Sequence, residues 1–171
     1  MKNPDISLEN NDVITKNERN GDVLIEGSGY YQNEGKTITG PYIKFNEKTE
    51  SILLEGRSTV MNEKGTIEGD TISYDKVLDF GRAIGDVVWM DTVENIRVEA
   101  DILEYKESSS YYKAIVKDIR PVFMQQVEED TMFLSADTLI NATIGDSINY
   151  LQAISAVKIF KSDLQAVCDS L

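Results

Sequence analysis

The sequence has no histidine, one cysteine and three prolines in its 171 residues. Without histidine the chain cannot form a Ser-His-Asp triad, a Cys-His pair or a histidine-ligated metal site. The phosphate-binding loop GxxxxGK(S/T) and a GxGxxG loop after a strand are also missing. The lone Cys168 cannot form a disulfide within the chain. These absences argue against most enzyme classes, and we expect neither a cofactor nor a catalytic site.

Basic residues are scarce as well. The chain has 17 Lys and Arg residues against 30 Asp and Glu residues, a formal net charge of −13. Such a charge repels nucleic acid and anionic membrane surfaces at long range, and no basic run offsets it. A signal peptide and a transmembrane run are both absent from Met1–Asn20, which is polar throughout. We interpret most of the charge as a solvated outer surface.

What the sequence does contain is regular alternation of apolar and polar residues. Within Ile67–Met90, a first run places Ile72 and Tyr74 on one side, and a second run places Val87 and Trp89 on one side, with a polar turn between the runs. Alternation with a period of two is typical of strands that have one buried face. Together with the many β-branched residues, it predicts an all-β fold.

This alternating unit recurs about every thirty residues, as in a repeat architecture. One column of apolar residues consists of Ile43, Ile72, Leu103, Leu139 and Leu171. A second column consists of the pairs Val23/Ile25, Ser58/Val60, Val87/Trp89, Val122/Met124 and Val157/Ile159. Stacked units bury a continuous apolar interior and pair the edge of every inner strand. The pattern predicts an elongated β-jelly-roll of stacked antiparallel repeats, a single domain over residues 1–171.

The variable spacings fall in the connections, where insertions cost little. The two longest connections, 106–113 and 141–152, are predicted to project as loops from the same edge of the stack. Residues 164–171 begin a further repeat that stops at Leu171. We therefore expect the sequence to be a fragment of a longer protein, and the missing export signal carries no weight.

A small residue and an aspartate also recur with the first column. The small residues are Gly40, Gly69, Ala100, Ala136 and Cys168, and the aspartates are Asp70, Asp101, Asp137 and Asp169. Recurrence in several units argues for a structural role, in which the carboxylates accept backbone N–H bonds. A calcium ladder is the functional alternative, although the close Asp/Gly spacing of calcium loops is missing.

The large side chains of the two columns have two interpretations. Residues such as Tyr74, Tyr105 and Met124 fill a closed core in the first. In the second they line an open apolar trough, whose core is completed by a lipid tail. The sequence alone favours the closed core.

Six sequence segments resemble those of a known family: GDTISYDK, GDVVWMD, RVEADILEY, RPVFMQ, LSADTL and VKIFKSDLQAVCDSL. In order and repetition they are similar to the OstA-like (organic solvent tolerance) proteins, relatives of LptA, and most similar to the Bacteroides-type branch. The resemblance covers about Gly21 to Leu171. Residues 1–20 match poorly, and Asn141 replaces the usual aromatic of its column.

The resemblance implies a "β-taco" that is exported to the periplasm and joins end to end through its terminal strands. Members of the family shield the acyl chains of lipopolysaccharide and bind LptC and LptD by strand-to-strand joining. Exposing an acyl chain to water costs ~0.8 kcal/mol of free energy per CH₂, so a lipid carrier needs an apolar trough that excludes water. For this chain the resemblance implies a lipid carrier, LptC-like and LptD-like partners and end-to-end homo-oligomers, without catalysis.

The residues expected to form the lipid-binding interior are Ile43, Phe45, Val60, Ile72, Tyr74, Val87, Trp89, Leu103, Tyr105, Val122, Met124, Leu139, Val157 and Ile159. The unranked candidates for contacting an anionic head group are Arg57, Arg97, Lys117 and Arg120. Two further hypotheses stay open. One is a structural β-solenoid with a filled core that polymerises through its ends, and the other is a carbohydrate-acting enzyme with paired carboxylates.

Overall fold

A computed structural model of the chain describes residues 5–7, 13–33, 35–109, 111–144 and 148–171. In these ranges it contains strands and no helix, so no described helix could span a membrane. The predicted all-β class is confirmed. The strands are β1 (Asp5–Ser7), β2 (Val13–Asn17), β3 (Asp22–Asn33), β4 (Lys36–Asn46), β5 (Ser51–Asn62), β6 (Gly65–Asp75), β7 (Phe80–Asp91), β8 (Ile96–Tyr105), β9 (Tyr112–Ile115), β10 (Val122–Val127), β11 (Asp130–Ser135), β12 (Thr138–Ile144), β13 (Ile148–Lys161) and β14 (Leu164–Ser170).

All strand pairs are antiparallel, and the long strands β3 to β8 follow one another as a meander. Farther along, β8 pairs with β9 through residues 102–105 and with β10 through residues 96–99. Strands β9 and β10 are thus the two halves of one interrupted long strand. The same holds for β12 and β11, which both pair with β13.

Each long strand therefore contributes to two half-sheets. Layer 1 contains β2, β9, β12 and the segments 22–26, 42–46, 51–55, 71–75, 80–84, 102–105 and 148–154. Layer 2 contains β1, β10, β11, β14 and the segments 29–33, 36–40, 58–62, 65–69, 87–91, 96–100 and 157–161.

The strands bend where they pass from one layer to the other. Gly27, Gly56 and Gly85 have φ values of 115°, 80° and 80°, and each lies at a shift in strand register. Only glycine adopts this backbone readily, and a bulge kinks its strand. The corresponding bend of β13 uses Ser155 and Ala156, with φ values of 65° and 51°. These bends form one side of the molecule, which we call the hinge.

The two layers fold over and face each other. Lys36 and Phe45 lie near opposite ends of β4, about 30 Å apart in a straight strand. Yet Lys36 Nζ lies 5.4 Å from the ring centre of Tyr74, which is in the same cross-strand row as Phe45. The outer ends of the layers thus meet opposite the hinge, and we call that side the mouth.

The facing surfaces are two apolar rows in continuous register. The layer 1 row is Ile25, Ile43, Leu54, Ile72, Ala83, Leu103, Ala114, Leu139 and Ala153. The layer 2 row is Tyr31, Ile38, Val60, Ile67, Trp89, Val98, Phe123, Leu134 and Ile159. Most of these side chains are buried, and together they form one core that runs the length of the sheet.

Two details of the predicted repeat are wrong. Val23 and Ile25 lie in layer 1, and the residues that match Ser58/Val60 in layer 2 are Gly29 and Tyr31. The predicted second column therefore begins one short segment too early in the first repeat, at Val23 instead of Gly29. The connection predicted over 141–152 lies mostly in a hairpin, since Asn141 pairs with Leu151 and Ile140 with Gln152.

Candidate functional site

The interior between the layers contains most of the residues predicted to line it. Ile43, Ile72, Val87, Leu103, Leu139 and Val157 are buried, while Val60, Trp89, Tyr105 and Ile159 are partly buried against the same core. Phe45 and Tyr74 are half-buried in an inward row next to the mouth. The structure thus brings these side chains to one face of the folded sheet.

Val122 and Met124 do not face this interior. The inward residue of β10 is Phe123, which is 3% exposed and pairs with the buried Val98 and Leu134. Neighbouring side chains point to opposite faces of a strand, so Val122 and Met124 lie on the outer surface of layer 2. The predicted register of this strand is wrong by one residue.

The interior is filled by the chain's own side chains. The rings of Trp89 in layer 2 and Tyr112 in layer 1 lie 4.9 Å apart, and those of Tyr31 and Phe45 lie 5.9 Å apart. A cavity between Leu54, Ile72 and Val60 has a volume of only about 10 Å³. Small-molecule sites need ~300 Å³ or more, so this cavity is too small for a lipid tail.

Three tyrosines line the layer 1 side of the mouth. The rings of Tyr74 and Tyr105 stack at 6.1 Å with an angle of 10° between their planes. Tyr105 reaches Tyr74 by crossing Gly81, where an added Cβ would lie 2.2 Å from its ring. Burial raises the pKa of Tyr105 and of Tyr112, so both phenols stay neutral. The Tyr112 hydroxyl is buried and has no hydrogen-bond partner among the described residues.

A polar pair joins the two layers across the mouth. Lys36 Nζ in layer 2 lies 2.5 Å from Glu107 Oε1 and 2.7 Å from Glu107 Oε2. Glu107 lies in the turn that follows the layer 1 segment of β8. Their side chains are 25% and 32% exposed. Both residues also line the small cavity. Because the two partners come from opposite layers, this pair holds the mouth closed.

Asp79 fixes the Glu107 side of this contact. Its carboxylate accepts hydrogen bonds from the backbone N–H groups of Glu107 and Ser108 at 3.0 and 3.3 Å, from the Ser108 hydroxyl, and from the Tyr74 hydroxyl at 2.9 Å. The Ser108 hydroxyl is the largest cause that lowers the pKa of Asp79 below its usual value. The carboxylate thus stays ionised and orders the turn near neutral pH.

The four cations proposed from the sequence lie away from the mouth. Arg97, paired with Glu99, is on the outer face of layer 2, in the row of Met124. Arg57, Lys117 and Arg120 lie at or next to the hinge and contact Glu68, Asp118 and Asp137, respectively. The cation that lines the small cavity at the mouth is Lys36, which sequence reasoning missed. Its partner is 71 positions away, so no local pattern could have linked the two.

Two of the four recurring aspartates accept hydrogen bonds at the hinge. Asp101 accepts backbone N–H bonds from Asp118 and Ile119, both at 2.6 Å, as the structural interpretation predicts. Asp137 accepts from Arg120 Nε at 2.6 Å and from the Ser155 hydroxyl at 2.6 Å. Within the described part of the chain, no cluster of three or more histidine, cysteine or acidic residues could hold a metal ion.

The chain was compared with protein families, curated proteins and solved structures. No family model matches the sequence, and no curated protein matches it. Among solved structures, the fold is similar to LptH of Pseudomonas aeruginosa, described as the LptA homologous periplasmic component of the conserved lipopolysaccharide transport device. The match has a TM-score of 0.60 at 12% sequence identity and covers 74% of this chain and 96% of LptH. The chain therefore has an LptA-like fold.

Proposed function

We propose that this protein is a non-enzymatic, periplasmic lipid carrier that takes acyl chains of lipopolysaccharide between layers 1 and 2. The observation that supports this most is the pair of unbroken apolar rows that face each other along the whole sheet. Residues proposed to contact the acyl chains are the inward members predicted from the sequence, with Phe123 in place of Val122 and Met124. The LptA-like fold agrees with the same role.

Lipid uptake requires the layers to separate, because the cavity between them at the mouth has a volume of only about 10 Å³. The architecture suits such a motion. Continuous strands join the layers at the hinge, whereas on the mouth side the contacts between them are those of side chains: the Lys36–Glu107 ion pair, Lys36 over Tyr74, Tyr31 with Phe45, and Trp89 with Tyr112. Each aromatic side chain that moves apart exposes apolar surface, and the acyl chain covers that surface again at ~25 cal/mol per Å².

The ends of the sheet are proposed to join other proteins. At one end, β14 pairs with β13 and exposes Leu164 by 50% and Val167 by 77%. At the other end, β1 and β2 pair with β3. Edge strands bind further strands through free backbone groups. We propose end-to-end joining with further copies and with LptC-like and LptD-like proteins.

A structural module without a ligand is the second candidate function. The close packing of Trp89 on Tyr112 and the cavity of about 10 Å³ favour it directly. In that case the interior never opens, and only the edge strands carry function. The two candidates differ in whether lipid reaches inward side chains.

Photo-crosslinking tests the proposal. With a benzoylphenylalanine at Phe123, we expect ultraviolet light to produce a lipopolysaccharide adduct on the purified protein. The same residue at Met124, one position along and on the outer face, is expected to give no adduct above background. Ile159 and Lys158 provide a second inward and outward pair, and Ile159 tolerates substitution better because it is only partly buried. Equal adducts inside and outside, or none inside, would favour the structural module.

A further inference from the structure

Lys36 is the cation among the described residues that line the apolar cavity at the mouth. Lys36 lines this cavity together with Ile38, Val60, Leu54 and Ile72, and its ammonium group lies over the ring of Tyr74. The closing carboxylate of Glu107 comes from the other layer. A positive charge over an apolar slot matches a molecule that has an anionic group at the end of a hydrocarbon tail.

We infer that Lys36 and Glu107 form a gate selective for an anionic amphiphile, whose charged group replaces the Glu107 carboxylate on Lys36 as its tail enters between Ile38/Val60 and Leu54/Ile72. This inference rests on the proposed function and adds to it the place of insertion and the charge of the ligand. The shared chemistry is a phosphate or similar anion, whether on a lipid or free in solution.

Exchange of one anion for another keeps the cation paired. Separating this pair costs less than separating a fully buried one, but it leaves the Lys36 ammonium group without its charged partner. A ligand anion avoids that cost for Lys36. The freed Glu107 side chain is already 32% exposed and turns toward water, while the Asp79 hydrogen bonds keep its backbone in place. An uncharged head group cannot replace the carboxylate in this way.

The two parts of the gate have different roles. The aromatic stack of Tyr74 and Tyr105 gives the tail an apolar wall. The ion pair excludes neutral hydrocarbon, since opening for such a molecule would leave Lys36 unpaired.

The test compares dodecyl phosphate with dodecyl maltoside, which has an uncharged head group, below their critical micelle concentrations. Dissociation constants are measured by calorimetry for the full chain. The readout is the ratio of the two affinities. We expect Lys36→Gln to lower the preference for dodecyl phosphate about tenfold, because one charge-assisted hydrogen bond is lost. Glu107→Gln is expected to tighten dodecyl phosphate binding severalfold, since Lys36 then lacks a competing carboxylate.

Arg97→Gln is the matched control, because it removes an ion-paired cation from the outer face of layer 2. Its preference ratio is expected to equal that of the wild type. Thermal unfolding of every variant checks that the fold is kept. Inorganic phosphate alone is the third ligand, and we expect it to bind far more weakly than dodecyl phosphate.

An unchanged ratio for Lys36→Gln would overturn the gate, even where the inward adduct at Phe123 shows that lipid enters. Equal binding of inorganic and dodecyl phosphate, both lost in Lys36→Gln, would identify a free-phosphate site and also overturn it. If neither amphiphile binds the wild type and Phe123 gives no adduct, the gate and the proposed function fail together.

Discussion

Replacing Leu103 by alanine is expected to lower the free energy of unfolding by about 4 kcal/mol, near the upper end of the ~2–5 kcal/mol range for such changes. Leu103 is 0% exposed, and its neighbours in the layer 1 row are Ala83 and Ala114. The leucine therefore fills the space that both alanines leave. No large neighbour in that row can move into the vacated volume, so the cavity persists.

Ile102→Ala is the matched control, because this residue precedes Leu103 on the same strand and faces outward. We expect a loss of about 1 kcal/mol, since half-exposed apolar side chains bury less surface. Urea denaturation measures both variants, and the slope of the transition should stay constant while its midpoint falls. Equal losses for the two variants would contradict the two-layer core.

Bridging the mouth covalently is expected to abolish lipid binding. Lys36→Cys and Glu107→Cys, combined with Cys168→Ser, place two thiols on opposite layers, which a short bismaleimide links. Since the hinge already joins the layers, the link fixes their separation on both sides. The lipopolysaccharide adduct at Phe123 should then fall to background.

The control is the same variant with each thiol capped singly by N-ethylmaleimide. It has lost the same two charges but remains free to open, so it should retain an adduct. If the bridged and capped proteins give equal adducts, lipid does not enter by separation of the layers.

The layer 1 row could be predicted from sequence because its strands alternate cleanly. In β6, the polar Thr71 and Ser73 flank Ile72, and one register alone places this apolar residue inside. The first repeat was misplaced because Gly21 and Gly27 both precede an alternating segment. Only the backbone shows that Gly27, with φ of 115° at a register shift, forms the bend.

The error in β10 has a related cause. Val122, Phe123 and Met124 are all apolar, so alternation does not decide which of them faces inward. Residues 116–121, which end at the buried Pro121, separate β9 from β10, the two halves of one long strand. Because of this interruption, the alternation in β9 does not continue in step into β10. The pairing of Phe123 with the buried Val98 sets this register, and Val98 lies on β8, far from Phe123 in sequence.

The mouth could not be predicted for the same reason. Lys36 and Glu107 meet only because every intervening strand bends at the hinge. The unranked candidates for head-group contacts, among them Arg57 and Arg97, lie outside the interior, at the hinge or on the outer face. In this fold, the layer and the face on which a charged residue lies decide whether its side chain is near the interior.

The most direct test measures the angle between the layers with and without lipid. Spin labels on cysteines replacing Lys64 and Val77, in a Cys168→Ser background, lie just beyond the two ends of the bent strand β6. Pulsed electron resonance then reports their separation. A second pair at Lys64 and Glu94 lies on layer 2 turns joined by the hydrogen bond from Thr92 N–H to the Lys64 carbonyl. With lipopolysaccharide, we predict a longer Lys64–Val77 distance and an unchanged Lys64–Glu94 distance; a Lys64–Val77 distance that saturating lipopolysaccharide leaves unchanged would contradict the account.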